Sequence, residues 1–261
     1  MGRLACIAVV FTLLAQGSLA SDGVMEINQA CATSSTGCFP GDTAGFPVTI
    51  AQSGSYRLTG NLTVPFGTTA IQIDAVSVTL DLGGFIVSGP NVCTGYPTTG
   101  CTSVGGTPGI NSEQFLVVVR NGSVTGMGGD GIRLAGASSA VDSVRVLSCG
   151  SDGIRTGAAG RVTNSFSGGN RFDGIEIGDG GRAEGNETRA NGSSGISVQL
   201  TRLDALVFSN QIFDNAGTSI HVVSPIAPDV LISRNTMSGN GVNLYNKGLS
   251  KGDNVCGGGF C

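Results

Sequence analysis

Three aspartates stand at the same place in a repeated phrase: Asp130, Asp152 and Asp173, each followed by Gly-Ile. One residue past each isoleucine comes Arg133, Arg155 or Glu176, and the series continues through Ser197 to His221. If the phrases stack in register, the chain carries two neighbouring columns, one acidic and one mixed. Carboxylates ~5 Å apart have the spacing of a retaining glycosidase pair, and two steps apart they approach the wider inverting spacing. Stacked carboxylates repel, so one can hold its proton and serve as general acid. On that reading Asp152, Asp173 and Glu176 are the candidate catalytic groups. A lyase would use the aspartates to hold Ca²⁺ against a uronate while a basic side chain takes the proton. Arg133 and Arg155 can clamp sugar carboxylates in bidentate fashion, with Asp130 and His221 flanking them. A plainer account of the same residues exists. The aspartates then only fix turns, stacked Arg155 and Glu176 are a surface ion pair worth little, and the lone His221 is ordinary surface.

Stacking has to be earned from the spacing. Ile132, Ile154, Ile175, Ile196 and Ile220 follow one another at steps of 22, 21, 21 and 24 residues. Turn residues keep the same beat: Cys149, Asn170, Asn191, Asn215 and Asn240 in one column, Asn164, Asn186, Asn210 and Asn235 in another. A fixed period in this range marks a stacked repeat. Each repeat holds short alternating pieces, such as Ile-Arg-Leu and Ile-Glu-Ile, between Gly, Asn and Ser, which reads as strand and turn. Two or three short strands per ~22 residues fit one rung of a parallel β-helix, with rungs stacked at ~4.8 Å. Leucine-rich repeats share that length but need a leucine framework that is absent here. The expected fold is therefore all-β, a right-handed parallel β-helix of about eight rungs, since β-to-β crossovers are right-handed. The isoleucines point inward and their successors outward. Asparagine suits the bends because it tolerates left-handed backbone angles, and stacked asparagines can bond from rung to rung.

The repeat Ile/Val-x-x-Asn-x-x-x-x-Asn-x-x-x-Gly-Ile resembles that of right-handed β-helix proteins of the pectate-lyase-like superfamily, including its periplasmic NosD-type group. The stretches from Gly54 to Val64 and from Val78 to Gly89 are similar to the family's opening rungs. The resemblance covers residues 48 to 246 and implies the fold. It transfers no catalytic residue. The Arg-x-Pro-x-x-Arg segment of pectate lyases, the Asn-Thr-Asp, Asp-Asp and Gly-His-Gly set of polygalacturonases, and the Asp-Pro-His signature of alginate epimerases are all missing. NosD-type likeness points to a periplasmic accessory of metal maturation, an expectation weakened by the scarcity of ligand residues.

Residues 1–20 read as a secretory signal, with Arg3, an apolar core and small residues before a cleavage point near Ala20. The apolar run is too short for a membrane span. The expectation is an exported protein, periplasmic or extracellular. The chain is 40% hydrophobic and 12% charged, with a formal charge of −4, or −5 without Arg3. That balance argues against a nucleic-acid partner, which needs clustered Lys and Arg. The partner expected instead is a polysaccharide lying along the charged columns; the alternative is a non-catalytic rod whose stiffness is its function. Seven cysteines follow the signal, and three close pairs predict local disulfides: Cys31–Cys38, Cys93–Cys101 and Cys256–Cys261. None is Cys-x-x-Cys and His221 is the only histidine, so no metal site is expected. Residues 21–47 and 247–261 do not repeat and read as caps on the open ends of the stack. The loop 90–108 interrupts the early rungs. It carries Tyr96, a further candidate ligand-binding residue, and loops on a rigid scaffold often hold function.

Overall fold

The computed structural model describes residues 23–104, 106–201, 204–223, 230–246, 249–257 and 259–261, so the segment read as a signal lies outside the described residues. Nearly everything described is strand, turn or bend, and one four-residue helix, Gln29–Ala32, is present. Each coil contributes up to three short strands, and each strand pairs in parallel with its counterpart one coil on. The first ladder runs from Val48–Ile50 to Val242–Asn246 and holds nine strands. The second and third ladders share an 18-stranded sheet. The expected β-solenoid of about eight coils is what the chain forms.

Register follows the isoleucine period. Ile110 pairs with Ile132, Ile132 with Ile154, Ile154 with Ile175, Ile175 with Ile196, and Ile196 with Ile220. All six are fully buried. Val141 and Val162 in the second ladder and Val124 and Val146 in the third point into the same core. Each coil buries its apolar residues against one another and against the coils above and below, so packing between coils is a nearest-neighbour matter.

The bends use a two-residue device. A residue with positive φ turns the chain, and the next one is buried. Gly169 (φ 66°), Ala190 (56°), Asp214 (55°) and Gly239 (70°) precede Asn170, Asn191, Asn215 and Asn240. The asparagines therefore do not themselves take the left-handed angle, contrary to the sequence expectation. They fill the inside of the bend. Asn191 Oδ1 accepts from the backbone N–H of Asn170 at 3.0 Å and from its Nδ2 at 2.9 Å. Asn191 Nδ2 in turn donates to Asn215 Oδ1 at 2.8 Å. A second buried ladder runs Asn186, Asn210, Asn235 and Asn254. Asn164, grouped with it from the sequence, is instead a left-handed residue (φ 49°). Ser165 takes the buried place and donates its N–H to Asn186 Oδ1 at 3.0 Å. Each such bond contributes about 1 kcal/mol net, and orphaning one in the dry interior costs more.

All three expected disulfides are present, and Cys149 is free and buried. Ahead of the first coil, Val24–Ile27 pairs with the strand Gly54–Leu58. At the far end Val255–Cys256 folds back antiparallel on Gly259–Phe260.

Candidate functional site

The first ladder places the charged columns as their spacing implied. Asn111, Arg133, Arg155, Glu176, Ser197 and His221 are successive partners in register. The aspartates sit at the bend before each strand. The glycine that follows each one faces inward at a corner with no room for a side chain. A Cβ on Gly153 would lie 1.9 Å from Ser167 Oγ.

Each aspartate is committed to the coil above it. Asp130 Oδ1 accepts the backbone N–H of Asp152 at 3.1 Å, Asp152 Oδ1 that of Asp173 at 2.9 Å, and Asp173 Oδ1 that of Ser194 at 2.7 Å. Asp152 is 6% exposed. Burial, then the carboxylates of Asp130, Asp173 and Glu176, push its carboxyl up to about 8. Burial also raises Glu176, while Arg155 opposes the rise. Arg155 Nε lies 2.9 Å from Glu176 Oε1, and that carboxylate is largely covered by protein. This pair is thus half-buried, not the plain surface bridge that spacing suggested. Arg133 reaches back to the preceding coil, where it binds Glu113 and donates to Asn111 Oδ1 at 3.3 Å. The two arginines therefore do not face each other unrelieved. The structure brings Asp130, Asp152, Asp173, Glu176 and Arg155 together. His221 is half-buried beside Ser197 in register. No group of three or more His, Cys, Asp or Glu arranged to hold a metal ion occurs among the described residues.

Tyr96 belongs to another face. Its loop forms a hairpin, Cys93–Thr94 against Gly100–Cys101, closed by the Cys93–Cys101 bond. The hairpin lies lengthwise over the corner that follows the third ladder. Buried Asn91 ties its base: Nδ2 donates to the carbonyls of Met127 (3.1 Å) and Ser148 (3.3 Å), and Oδ1 accepts from Thr102 Oγ1 and the Ser103 N–H, both at 2.7 Å. Farther along, the Thr98 N–H donates to Ala190 O at 2.9 Å. Tyr96 Oη donates to Asp214 Oδ2 at 2.9 Å.

Between this hairpin and the outer surface of the third ladder is a cavity of about 250 Å³, lined among others by Tyr96, Thr98, Leu147, Phe166 and Arg189. A second cavity of about 340 Å³ is lined among others by Arg145, Asn164, Phe166, Glu187 and Gln211. Phe166 is common to the two cavities, which share this outer face of the third ladder as a groove. Gly168 makes room for that ring, since a Cβ there would lie 2.8 Å from its edge. The Arg145 guanidinium stands 4.5 Å from the ring centroid and joins no ion pair among the described residues. Arg189 stands over Phe213 at 5.4 Å. Sequence reading took only Tyr96 from this groove. The signal for the rest was present: Arg145, Phe166, Glu187 and Gln211 follow the same period and pair in register.

Residues 109–256 match the protein-family model described as the right handed beta helix region. Among solved structures, the crystal structure of the Dettilon tailspike protein (gp208) is similar in fold, with a TM-score of 0.53 and 17% identity over 74% of this chain. This chain spans 41% of the length of that one. No curated protein matches the sequence. Among the described residues no helix is long and apolar enough to cross a membrane. With the match extending over more than half of its length, the chain belongs to the right-handed β-helix family.

Proposed function

We propose that this protein is an exported polysaccharide-binding β-helix, and that its ligand lies in the groove beside the Cys93–Cys101 hairpin. The observation that carries this is the Phe166 ring, packed on Gly168 and lining two neighbouring cavities. An aromatic face flanked by a few polar groups is the usual make-up of a small-molecule or sugar site. Arg145 and Arg189 supply cations for acidic sugar units, and Glu187 and Gln211 supply acceptors and donors for hydroxyls. The three disulfides fit an oxidising compartment. The negative net charge of the chain predicts salt-sensitive, modest affinity. The charged first-ladder face is the weaker surface, because its aspartates and arginines already hold partners within the protein.

A second reading, modification of the glycan on that face, has one observation in its favour. A carboxyl held at about 8 keeps its proton at neutral pH, as a general acid must. Asp152 is then the acid, with Glu176 or Asp173 as the second carboxyl group of the pair. Ca²⁺ would enter only if the chemistry is elimination.

A glycan array probed with the purified protein tests binding. Phe166→Ala and Tyr96→Ala should remove the signal, while Arg133→Ala with Arg155→Ala should keep it. The reverse pattern would return the ligand to the first face. Incubation with uronate polymers tests chemistry, because hydrolysis creates reducing ends and elimination creates an ultraviolet-absorbing double bond. Either product, lost in Asp152→Asn, would establish the second reading.

A further inference from the structure

The second ladder carries an outward column unlike the two faces already described. Arg161 and Arg182 are partners in register, and Leu206, Leu231 and Leu249 continue the same line. At ~4.8 Å per coil the five side chains form a straight stripe of roughly 20 Å, cationic at one end and apolar at the other. The largest of the three cavities described, about 550 Å³, opens on this stripe, with Asp204 at its edge. Arg182 holds Glu184 at 2.6 Å through one terminal nitrogen, but its Nε is shut away from solvent with no acceptor. Arg161 is exposed and joins no ion pair among the described residues. Leu249 is 55% exposed, and Leu206 and Leu231 are half-buried.

An anion at the cationic end would give the unpaired Arg161 guanidinium a counter-ion and ease its repulsion from Arg182. A small anion would do that and leave the leucines wet. Of the side chains lining this cavity none is aromatic, so it lacks the ring face that makes the Phe166 groove suit a sugar. What matches both ends is a molecule with one charged head and an unbranched apolar tail. We propose that this column is a binding site for a long-chain carboxylate. The head lies between Arg161 and Arg182, and the chain runs along Leu206, Leu231 and Leu249. The site is separate from the groove proposed for polysaccharide and does not depend on it.

The test is calorimetric titration of the purified full-length protein with dodecanoate below its micelle concentration. Acetate and the uncharged dodecyl maltoside serve as controls. Dodecanoate should bind one to one, at least about tenfold tighter than either control, a difference of about 1.4 kcal/mol. Arg161→Gln and Leu231→Ser should each weaken it about tenfold, and Phe166→Ala should leave it unchanged. Acetate or the maltoside binding equally well, no heat with dodecanoate, or an unaffected Arg161→Gln variant would each overturn the proposal. Arg161 is exposed, so its variant tests the site even where a change at Arg182 disturbs folding.

Discussion

Replacing Asp152 by asparagine should make the protein more stable at neutral pH. Asp152 is buried, and its carboxyl stands at about 8 where an ordinary one stands at 3.8. The unfolded chain gives up this proton near pH 4, whereas the folded chain keeps it until about pH 8. Stability from this group is therefore fully present below pH 4 and is lost as pH rises through about 8. At pH 7 the loss is the distance from 3.8 times 1.36 kcal/mol, or roughly 4 kcal/mol. Asparagine cannot ionise in either state, yet its Oδ1 can still accept the Asp173 N–H that Asp152 accepts at 2.9 Å. The variant should thus match the parent near pH 3.5 and exceed it by roughly 4 kcal/mol at pH 7, a rise in Tm of about 10 °C for a chain of this size. Thermal unfolding followed by circular dichroism across pH 3.5 to 9 measures this directly. Equal Tm differences at pH 3.5 and pH 7, or a destabilised variant at pH 7, would refute the reasoning. Either would mean that Asp152 is ionised in the folded protein and stabilised by its amide contact.

Ile175→Asp should cost about 4 kcal/mol or more in urea unfolding, because it puts an unpaired carboxylate among fully buried neighbours. Arg155→Ala should cost about 1 kcal/mol, more than an exposed site usually does, because its partner Glu176 is largely covered and loses its cation. Asn191→Ala should cost about 3 kcal/mol by the same measurement, since it removes the acceptor for Asn170 and the donor to Asn215 inside the bend. The Cys149 thiol, pushed up to about 12 by burial, should resist iodoacetamide in the folded protein and react once urea unfolds it.

The fold was legible because a solenoid writes its geometry into one period. Ile154 and Ile175 are partners in register since both must face the core from equivalent places in successive coils. The disulfides were legible for a related reason: each pair lies within a short non-repeating segment, so few geometries were open. The bends were half legible. Asn186 and Asn210 announce a buried ladder, but the positive-φ residue before each is Gly185 and Ser209, and in other coils Ala190, Asp214 or Arg234. No single residue type marks that position, because the buried asparagine behind it fixes the turn. The groove was least legible. Phe166, Arg145 and Glu187 obey the period, yet nothing local says that a hairpin ending 65 residues before Phe166, at Cys101, lies beside that ring. That is a long-range contact, made through Asn91 and the backbones of Thr98 and Ala190.

A repeat protein spends its most regular columns on holding itself together, and this bears on where a ligand should be sought. On the first ladder the regular residues have regular partners. Asp130, Asp152 and Asp173 each take one backbone amide of the next coil, and Arg133 and Arg155 each take a carboxylate. A ligand arriving there must displace bonds the protein already has, so its net gain is small. On the third ladder the regularity breaks. Arg145, Phe166, Glu187 and Gln211 are four different side chains at equivalent places, and Arg145 has an aromatic ring beside it but no counter-ion among the described residues. There a ligand can take Arg145 as a cation without breaking an ion pair, although the guanidinium already rests on the Phe166 ring and Arg189 lies near Glu187 and Asp214. From that column Phe166 also lines the cavity that the disulfide-closed hairpin walls in, and enclosure is what turns a surface into a site.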